Sequence, residues 1–530
     1  MVRDVDALGS VGTVPPAATL RPRPGPALPL RTLTAALGEE LQLVAASDAD
    51  PGVTGVTLDS RLVAPGDLYV ALPGQHHHGS AFASAAAASG AVAVLTDPAG
   101  RADAETAGLP VLVSPHARQL MAHAAAAVYG RPAERLAMYA VTGTNGKTTT
   151  TFLLDAALRA AGHRVGTIGT IGFLLDGQPL AASRTTITTP ESPELQALLA
   201  HLLEAGADSV AMEVSSHALV LGRADAITFD VAAFTNLGRD HLDFHGDEES
   251  YFAAKASLFT PERTRQVVLS IDDAGGRRLL EQVRRTPELT LRTVSLTDDG
   301  ADYRLLEARP TTDGRTAVTA LAQGRRIELV LPLPGDFNIR NALTALAMVA
   351  LGGGDPAAAA AGLAVVEVPG RMQRVPLGAG APTVVVDFAH TPQAVAAALG
   401  AVRDRRVVAV LGCGGDRDHA KRRPMGEAAA RAAAVVVVTD DNPRSEDPAA
   451  IRAEVLAGAR AAGGRAEVLD GGDRAAAIAL ALSLAGPDDV VAVLGKGHET
   501  GQEVAGEVLP FSDADVVGEE WARLRDRGVS

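Results

Sequence analysis

The chain has 530 residues, of which 47% are apolar and 21% charged, and its net charge is −15. This is a globular composition, too long for one core and too acidic for sequence-independent binding to nucleic acid. A single cysteine, Cys413, excludes a disulfide framework and suits a reducing cytoplasm, and no uncharged apolar run approaches the roughly 18 residues of a membrane span.

In chain order, residues 1–28 contain the run "PPAATLRPRPGPALP" with Asp4 and Asp6 but no apolar core of a signal peptide. They read as a disordered Pro-rich tail. Residues 29–133 alternate short strands ("GVTLDSR", "DLYVAL", "AVAVLT") with Ala-rich helices, which gives a small α/β domain. Residues 134–368 open on a strand–loop–helix unit, and the part from 264 to 334 is richer in strands. Residues 369–530 repeat Val-rich strands ("TVVVDF", "VVAVLG", "AVVVVTD", "DVVAVLG") between helices, the pattern of a parallel sheet buried on both faces. Ligands bind beyond the carboxyl ends of such strands. Here those ends carry Asp387, "GGDRD", "DDNPR" and "GKGHE".

The strongest local signal is "LAMYAVTGTNGKTTTTFLLDAALRAAG". An apolar strand enters a Gly-rich turn and leaves as a helix, so backbone N–H groups can cradle phosphates. Lys147 would reach the β/γ-phosphates and the Thr148 hydroxyl would meet Mg²⁺. Val141 replaces the first glycine of the usual phosphate loop, which makes this the shorter GxxGKT form. The strand in "DSVAMEVSSHAL" ends at Glu213, either a metal-holding carboxylate or a surface acid. His241 in "FDVAAFTNLGRDHLDFHG" is either structural or part of the same centre.

"YFAAKASLF" poses a sharper question. Phe252, Lys255, Ala256 and Phe259 share one apolar helical face, and Pro261 closes the helix. The chain writes nearly all its positive charge as arginine; its lysines are Lys147, Lys255, Lys421 and Lys496. Lys255 either snorkels or supplies an amine that must exist neutral, which arginine cannot do.

"GTNGKTT", "MEVSSHAL", "FTNLGRDHLDFHG", "YFAAKASLF", "GDFNIRNALTALA", "GRMQRV" and "DFAHTP", in this order, resemble the ATP-dependent Mur ligases. The likeness is greatest to the branch that adds the third residue of the peptidoglycan stem peptide. It runs from about residue 30 to the C-terminus. It implies a three-domain α/β protein: a uridine-nucleotide-binding N-terminal domain, a central P-loop ATPase-like domain with a parallel sheet, and a C-terminal Rossmann-like doubly wound domain. It also implies a cytoplasmic ligase of cell-wall synthesis, tied to cell shape and division, and working as a monomer. Its substrates would be ATP, UDP-N-acetylmuramoyl-dipeptide and meso-diaminopimelate, joined through an acyl phosphate.

The resemblance carries roles onto matching residues. Gly143, Thr144, Asn145, Gly146, Lys147, Thr148 and Thr149 would cradle ATP; Asn338 and Asn341 would contact adenine, Asp387 the ribose and Arg371 the γ-phosphate. Magnesium would sit on Thr148, Glu213, His241 and Lys255, the last as a carbamate formed with CO₂. Leu58, Ser60, Gln75, His76 and His77 match the uridine-nucleotide end, and Thr188, Thr189, Ser215 and Arg223 the muramoyl-dipeptide. His78 stands where relatives commonly carry Asp, and Ile187 and Leu221 where some carry Asn and Gln. Arg417, Asp441, Asn442, Pro443, Arg444, Gly495 and Glu499 match the diaminopimelate pocket. A guanidinium fork there suits the carboxylate that distinguishes diaminopimelate from lysine. The competing expectations are the same ligation with L-lysine, a folylpolyglutamate synthase, and a P-loop regulatory module that does not ligate.

Overall fold

The computed structural model describes residues 20–23, 25–38, 41–44, 50–74, 76–180, 188–312 and 314–526. The chain divides into two compact units: residues 1–135, 179–206 and 221–227 form the first, and residues 136–178, 207–220 and 228–530 the second.

In the first unit the strands Asp67–Ala71, Ala93–Thr96 and Val111–Val113 run parallel, with Gly55–Thr57 at one edge and the antiparallel Gln42–Val44 at the other. Alternation along the strands builds two cores. Leu68, Val70, Leu95 and Leu112 pack on Met121 and Ala125 of helix Ala117–Val128, whereas Tyr69, Val94 and Val111 pack on Ala83, Ala86 and Ala104. The helix Ser192–Glu204 also belongs to this unit, burying Leu195, Leu198, Leu199 and Leu202, although the sequence groups it with the central block. Arg21, inside the stretch read as a tail, forks onto both carboxylate oxygens of the buried Asp67 at 2.7 and 2.8 Å, and Leu28–Pro29 pairs with Gly52–Val53.

The second unit holds two large sheets. In the first, the strands Val165–Gly169, Ser209–Glu213, Ala137–Thr142, Phe229–Phe234, Thr264–Ser270 and Thr290–Ser295 lie side by side and parallel in that order. The antiparallel strands Thr316–Ala322 and Arg325–Leu331 extend its far edge. Helices Lys147–Ala160 and Asp336–Leu351 cover one face, burying Leu153, Leu154, Leu343 and Leu346. The second sheet orders Gln373–Val375, Thr383–Asp387, Val490–Leu494, Val407–Leu411, Val435–Thr439 and Glu467–Gly472, all parallel except the first. The four Val-rich segments are its centre, as their continuous apolar runs require. The α/β class and parallel sheets expected from the sequence are thus present. Among the described residues no helix is long and apolar enough to cross a membrane.

Candidate active site

The strand Ala137–Thr142 lies in the middle of the first large sheet, so its carboxyl end delivers the Gly-rich turn to the sheet's ligand-binding edge. Gly143 and Gly146 adopt φ of 145° and 88°. A Cβ at Gly143 would lie 2.0 Å from Thr235 Oγ1, and one at Gly146 2.7 Å from Asn341 Oδ1. Only glycine fits this cradle. Asn236 fastens it from the next strand, accepting from Asn145 N at 3.0 Å and donating to Asn145 O at 2.8 Å. Lys147 folds back over the turn, its Nζ 3.0 Å from the carbonyls of both Gly143 and Thr144.

Thr148 and Glu213 meet: the hydroxyl donates to Glu213 Oε2 at 3.0 Å, and both are buried. Thr170 donates to the other oxygen, Oε1, through its N–H at 2.9 Å and to Oε2 through its hydroxyl at 3.1 Å. The Glu213 side chain passes where a Cβ of Gly169 would be, 2.2 Å from Oε1. From the second sheet, Arg371 brings Nη2 to 3.5 Å from Thr148 Oγ1 while its guanidinium lies over Phe388, 4.6 Å from the ring centre. Asp387 accepts from Met372 N at 2.7 Å; burial pushes its pKa up. Asn338 and Asn341 are buried on the helix Asp336–Leu351, with Asn341 Nδ2 donating to Asn338 Oδ1 at 3.3 Å. Thr149 is buried one residue beyond Thr148.

Lys255 lies on helix Glu248–Ala256, whose apolar face buries Phe252 and whose next turn buries Phe259. Its side chain is 1% exposed, donates to Gly143 O at 2.8 Å and sits over Tyr251, 4.4 Å from the ring centre. Burial, then the charge of Lys147, pulls its pKa well below the ordinary lysine value, so the protonated form is disfavoured relative to a lysine in water. Snorkelling is excluded by this burial.

His241 feels the charges of Lys147 and Lys255: burial first, then these two cations, lower its pKa against the opposing pull of Asp240. Its backbone is left-handed, φ 53°, and its half-exposed ring stands edge-on to His217 at 4.8 Å between centres. Among the described residues no three His, Cys, Asp or Glu side chains converge as a metal site. The hydroxyl of Thr148 and the carboxylate of Glu213 are nevertheless hard oxygen donors at the phosphate cradle, which fits magnesium, an ion that keeps several waters and takes phosphate oxygens.

The residues expected to form an acceptor pocket cluster where the second sheet's strands end. Gly495, at φ 116°, has no room for a Cβ, which would lie 2.5 Å from Asp441 Oδ2. Asn442 is the hub: its Nδ2 donates to Glu499 Oε2 at 2.8 Å, and its Oδ1 accepts from Lys496 Nζ at 2.9 Å. Arg444 follows Pro443 and donates through Nη1 to Gly415 O at 2.7 Å. Arg417 is exposed on the "GGDRD" loop, its Cγ 4.0 Å from where a Cβ of Gly414 would stand. Cys413, buried behind this loop, has its thiol pushed up to about 12 and is no nucleophile.

In the first unit, Leu58 and Ser60 are half-buried beside the 3₁₀ turn Ser60–Leu62, and His76 and His77 are exposed; Gln75 and Ile187 lie outside the described residues. The His78 departure has a physical account. Its Nδ1 accepts from Ser80 N at 3.1 Å, capping Gly79–Phe82 as an aspartate would, and its Nε2 pairs with Asp97 Oδ1 at 3.1 Å. His78→Ala is expected to destabilise the protein by about 1 kcal/mol and His78→Asp to restore most of it, read by urea denaturation. Thr188 and Thr189 precede helix Ser192–Glu204, and Arg223 donates to Thr189 O at 3.1 Å and to Glu191 at 2.9 Å. Ser215 belongs to the second unit, where its hydroxyl accepts from Ala218 N at 3.1 Å.

Sequence reasoning missed several partners. Asp240 precedes His241; burial alone would raise its pKa, but His241, His390, Lys147 and Lys421 hold the carboxyl below its usual range. Lys496 is completely buried and binds Glu499 Oε2 at 2.8 Å, so the rarity of lysine was itself the signal. Glu191 joins Arg118 and Arg223, at 3.2 and 2.9 Å.

A glycine cradle, a lysine folded over it and a paired hydroxyl and carboxylate define an α/β enzyme that handles nucleotide phosphate. Comparison with known proteins narrows the class. Residues 52–129 match the model of the Mur ligase family catalytic domain, 141–349 the Mur ligase middle domain and 370–497 the Mur ligase glutamate ligase domain. The chain is 48% identical to a UDP-N-acetylmuramoyl-L-alanyl-D-glutamate–2,6-diaminopimelate ligase of Streptomyces coelicolor, with 94% of this chain and 98% of that one covered. It is 44% identical to the ligase of the same name from Corynebacterium efficiens, covering 95% and 96%. A solved structure of a ligase with that name aligns with a TM-score of 0.65 at 31% identity, over 94% of this chain and 99% of that one. The chain belongs to the Mur ligase family, and it is an ATP-dependent ligase.

Proposed function

We propose that the chain joins meso-diaminopimelate to the D-glutamate γ-carboxylate of UDP-N-acetylmuramoyl-L-alanyl-D-glutamate, at the cost of ATP hydrolysed to ADP and phosphate. A carboxylate oxygen attacks the γ-phosphorus and ADP leaves. The acceptor's neutral amine then attacks the acyl carbon, loses a proton, and the carbon–oxygen bond to phosphate breaks. The first step brings two anions together, so positive charge must be gathered between them. Lys147, folded over the phosphate turn, and Arg371, beside Thr148, supply it. The observation that carries the proposal is this convergence, within one unit, of the phosphate cradle, the Thr148–Glu213 pair, Arg371 and the buried amine of Lys255.

Thr148 and Glu213 would hold magnesium, which when bound neutralises phosphate charge. Lys255 is read as the site of CO₂ addition: a neutral buried amine takes CO₂ and releases a proton, and the resulting carbamate anion would offer a further oxygen ligand. His241 would serve the same centre. In the pocket, Arg444 and Arg417 would receive the distal carboxylate, and Glu499 with Asp441 the distal ammonium. The work is assigned to a monomer in the cytoplasm.

Thr148→Val is expected to lower kcat about a hundredfold, because it keeps the shape and removes the hydroxyl that Glu213 shares; a loss under threefold would exclude that role. The acyl phosphate is tested with ¹⁸O in the γ-carboxylate. One labelled oxygen should appear in the released phosphate, and retention of all label in the peptide would contradict the proposed route.

A further inference from the structure

The acceptor pocket holds a carboxylate to which no motif gives a role. We infer that Glu503, on the hairpin of Gly501–Val504 and Glu507–Pro510, is a positioning residue that sets acceptor specificity by fixing the Arg444 guanidinium. The inference rests on the pocket assignment proposed above and deepens it.

Arg444 has a left-handed backbone, φ 54°, which a bulky residue rarely adopts unaided. The hairpin holds it there: Arg444 N donates to Glu503 O at 3.0 Å, and Ala505 N donates to Arg444 O at 2.8 Å. Glu503 N also donates to Asn442 Oδ1 at 3.0 Å, tying the hairpin to the hub that carries Glu499. The side chain is pinned as well. Its Nε donates to Glu503 Oε2 at 3.0 Å and its Nη1 to Gly415 O, while Nη2 has no hydrogen-bond partner among the described residues. Gly414 leaves the passage open, since a Cβ there would lie 2.9 Å from Nη1.

A flexible arginine with two of its three nitrogens fixed presents the third in one direction. That is preorganisation for a carboxylate. The Glu503 carboxylate is 43% exposed, so the ion pair itself contributes little to folding, and its consequence is orientation. Glu499 and Glu503 therefore differ: Glu499 is joined to Lys496 and Glu503 to Arg444.

The test is steady-state kinetics of the full chain, Glu503→Ala and Glu503→Gln, with diaminopimelate and lysine as acceptors and a thermal melt of each protein. Glu503→Ala is expected to raise KM for diaminopimelate about tenfold, with kcat falling less than KM rises and a smaller change for lysine. Glu503→Gln, whose amide oxygen still accepts from Nε, should show a smaller rise and decides the matter if the alanine variant melts early. An unchanged KM, or a lower one as expected of a carboxylate that merely blocks Arg444, overturns the inference. A wild-type chain with no preference for diaminopimelate would instead defeat the pocket assignment itself.

Discussion

Lys255→Arg is expected to reduce ligation at least about a thousandfold, measured as phosphate released with ATP, UDP-linked dipeptide and diaminopimelate. Burial, then the charge of Lys147, disfavours the protonated amine at this site. Lys255 Nζ is enclosed by the phosphate-loop carbonyl of Gly143 and the ring of Tyr251, with Lys147 close enough to disfavour a second positive charge. Guanidinium stays charged at any working pH and cannot take CO₂. The same geometry gives the sign of the pH dependence. The amine is neutral above its lowered pKa and protonated below it, so activity should be lost as pH falls through that value. Nucleotide binding by the arginine variant, followed by its melting shift with ATP, separates lost chemistry from lost folding. Near-normal turnover would remove the carbamate role.

Arg444→Ala is expected to cut the preference for diaminopimelate over lysine, as a ratio of kcat/KM values, about a hundredfold, or ~2.7 kcal/mol. Diaminopimelate differs from lysine only at the distal carboxylate, so a residue that binds it changes the ratio while leaving the ATP-dependent half of the reaction alone. The loss should fall on diaminopimelate. An unchanged ratio would take Arg444 out of that role, whatever happened to the overall rate.

What could be read from the sequence follows from distance along the chain. The phosphate loop is local, so "GTNGKTT" between an apolar strand and a helix was sufficient. The buried strands Val407–Leu411 and Val490–Leu494 announced themselves as unbroken apolar runs, because both their faces are covered. Glu467–Gly472 was not foreseen. It lies at the sheet's edge, half exposed, with charged and glycine residues in place of a valine run. Side-chain partnerships were less legible still. Lys496 and Asn442, 54 residues apart, meet because Val490–Leu494 and Val435–Thr439, with one strand between them, end on the same edge of the sheet, and Glu503 and Arg444, 59 apart, meet because the following hairpin folds against that edge. His241 shows that a motif can name a residue without its neighbours: its ring stands edge-on to His217 while the charges of Lys147 and Lys255 act on it. The position of Lys255 was legible as helical spacing, but its burial depends on Tyr251 and the loop of Gly143, which no spacing reveals.

The most direct measurement of the central claim is phosphate release and product mass with ATP and the UDP-linked dipeptide, comparing diaminopimelate, lysine and glutamate as acceptors. Release that requires the dipeptide, with a product heavier by one diaminopimelate residue and at least about a hundredfold preference over lysine and glutamate, is the expected result. Steady release without the dipeptide, or equal use of the three acceptors, would contradict the account.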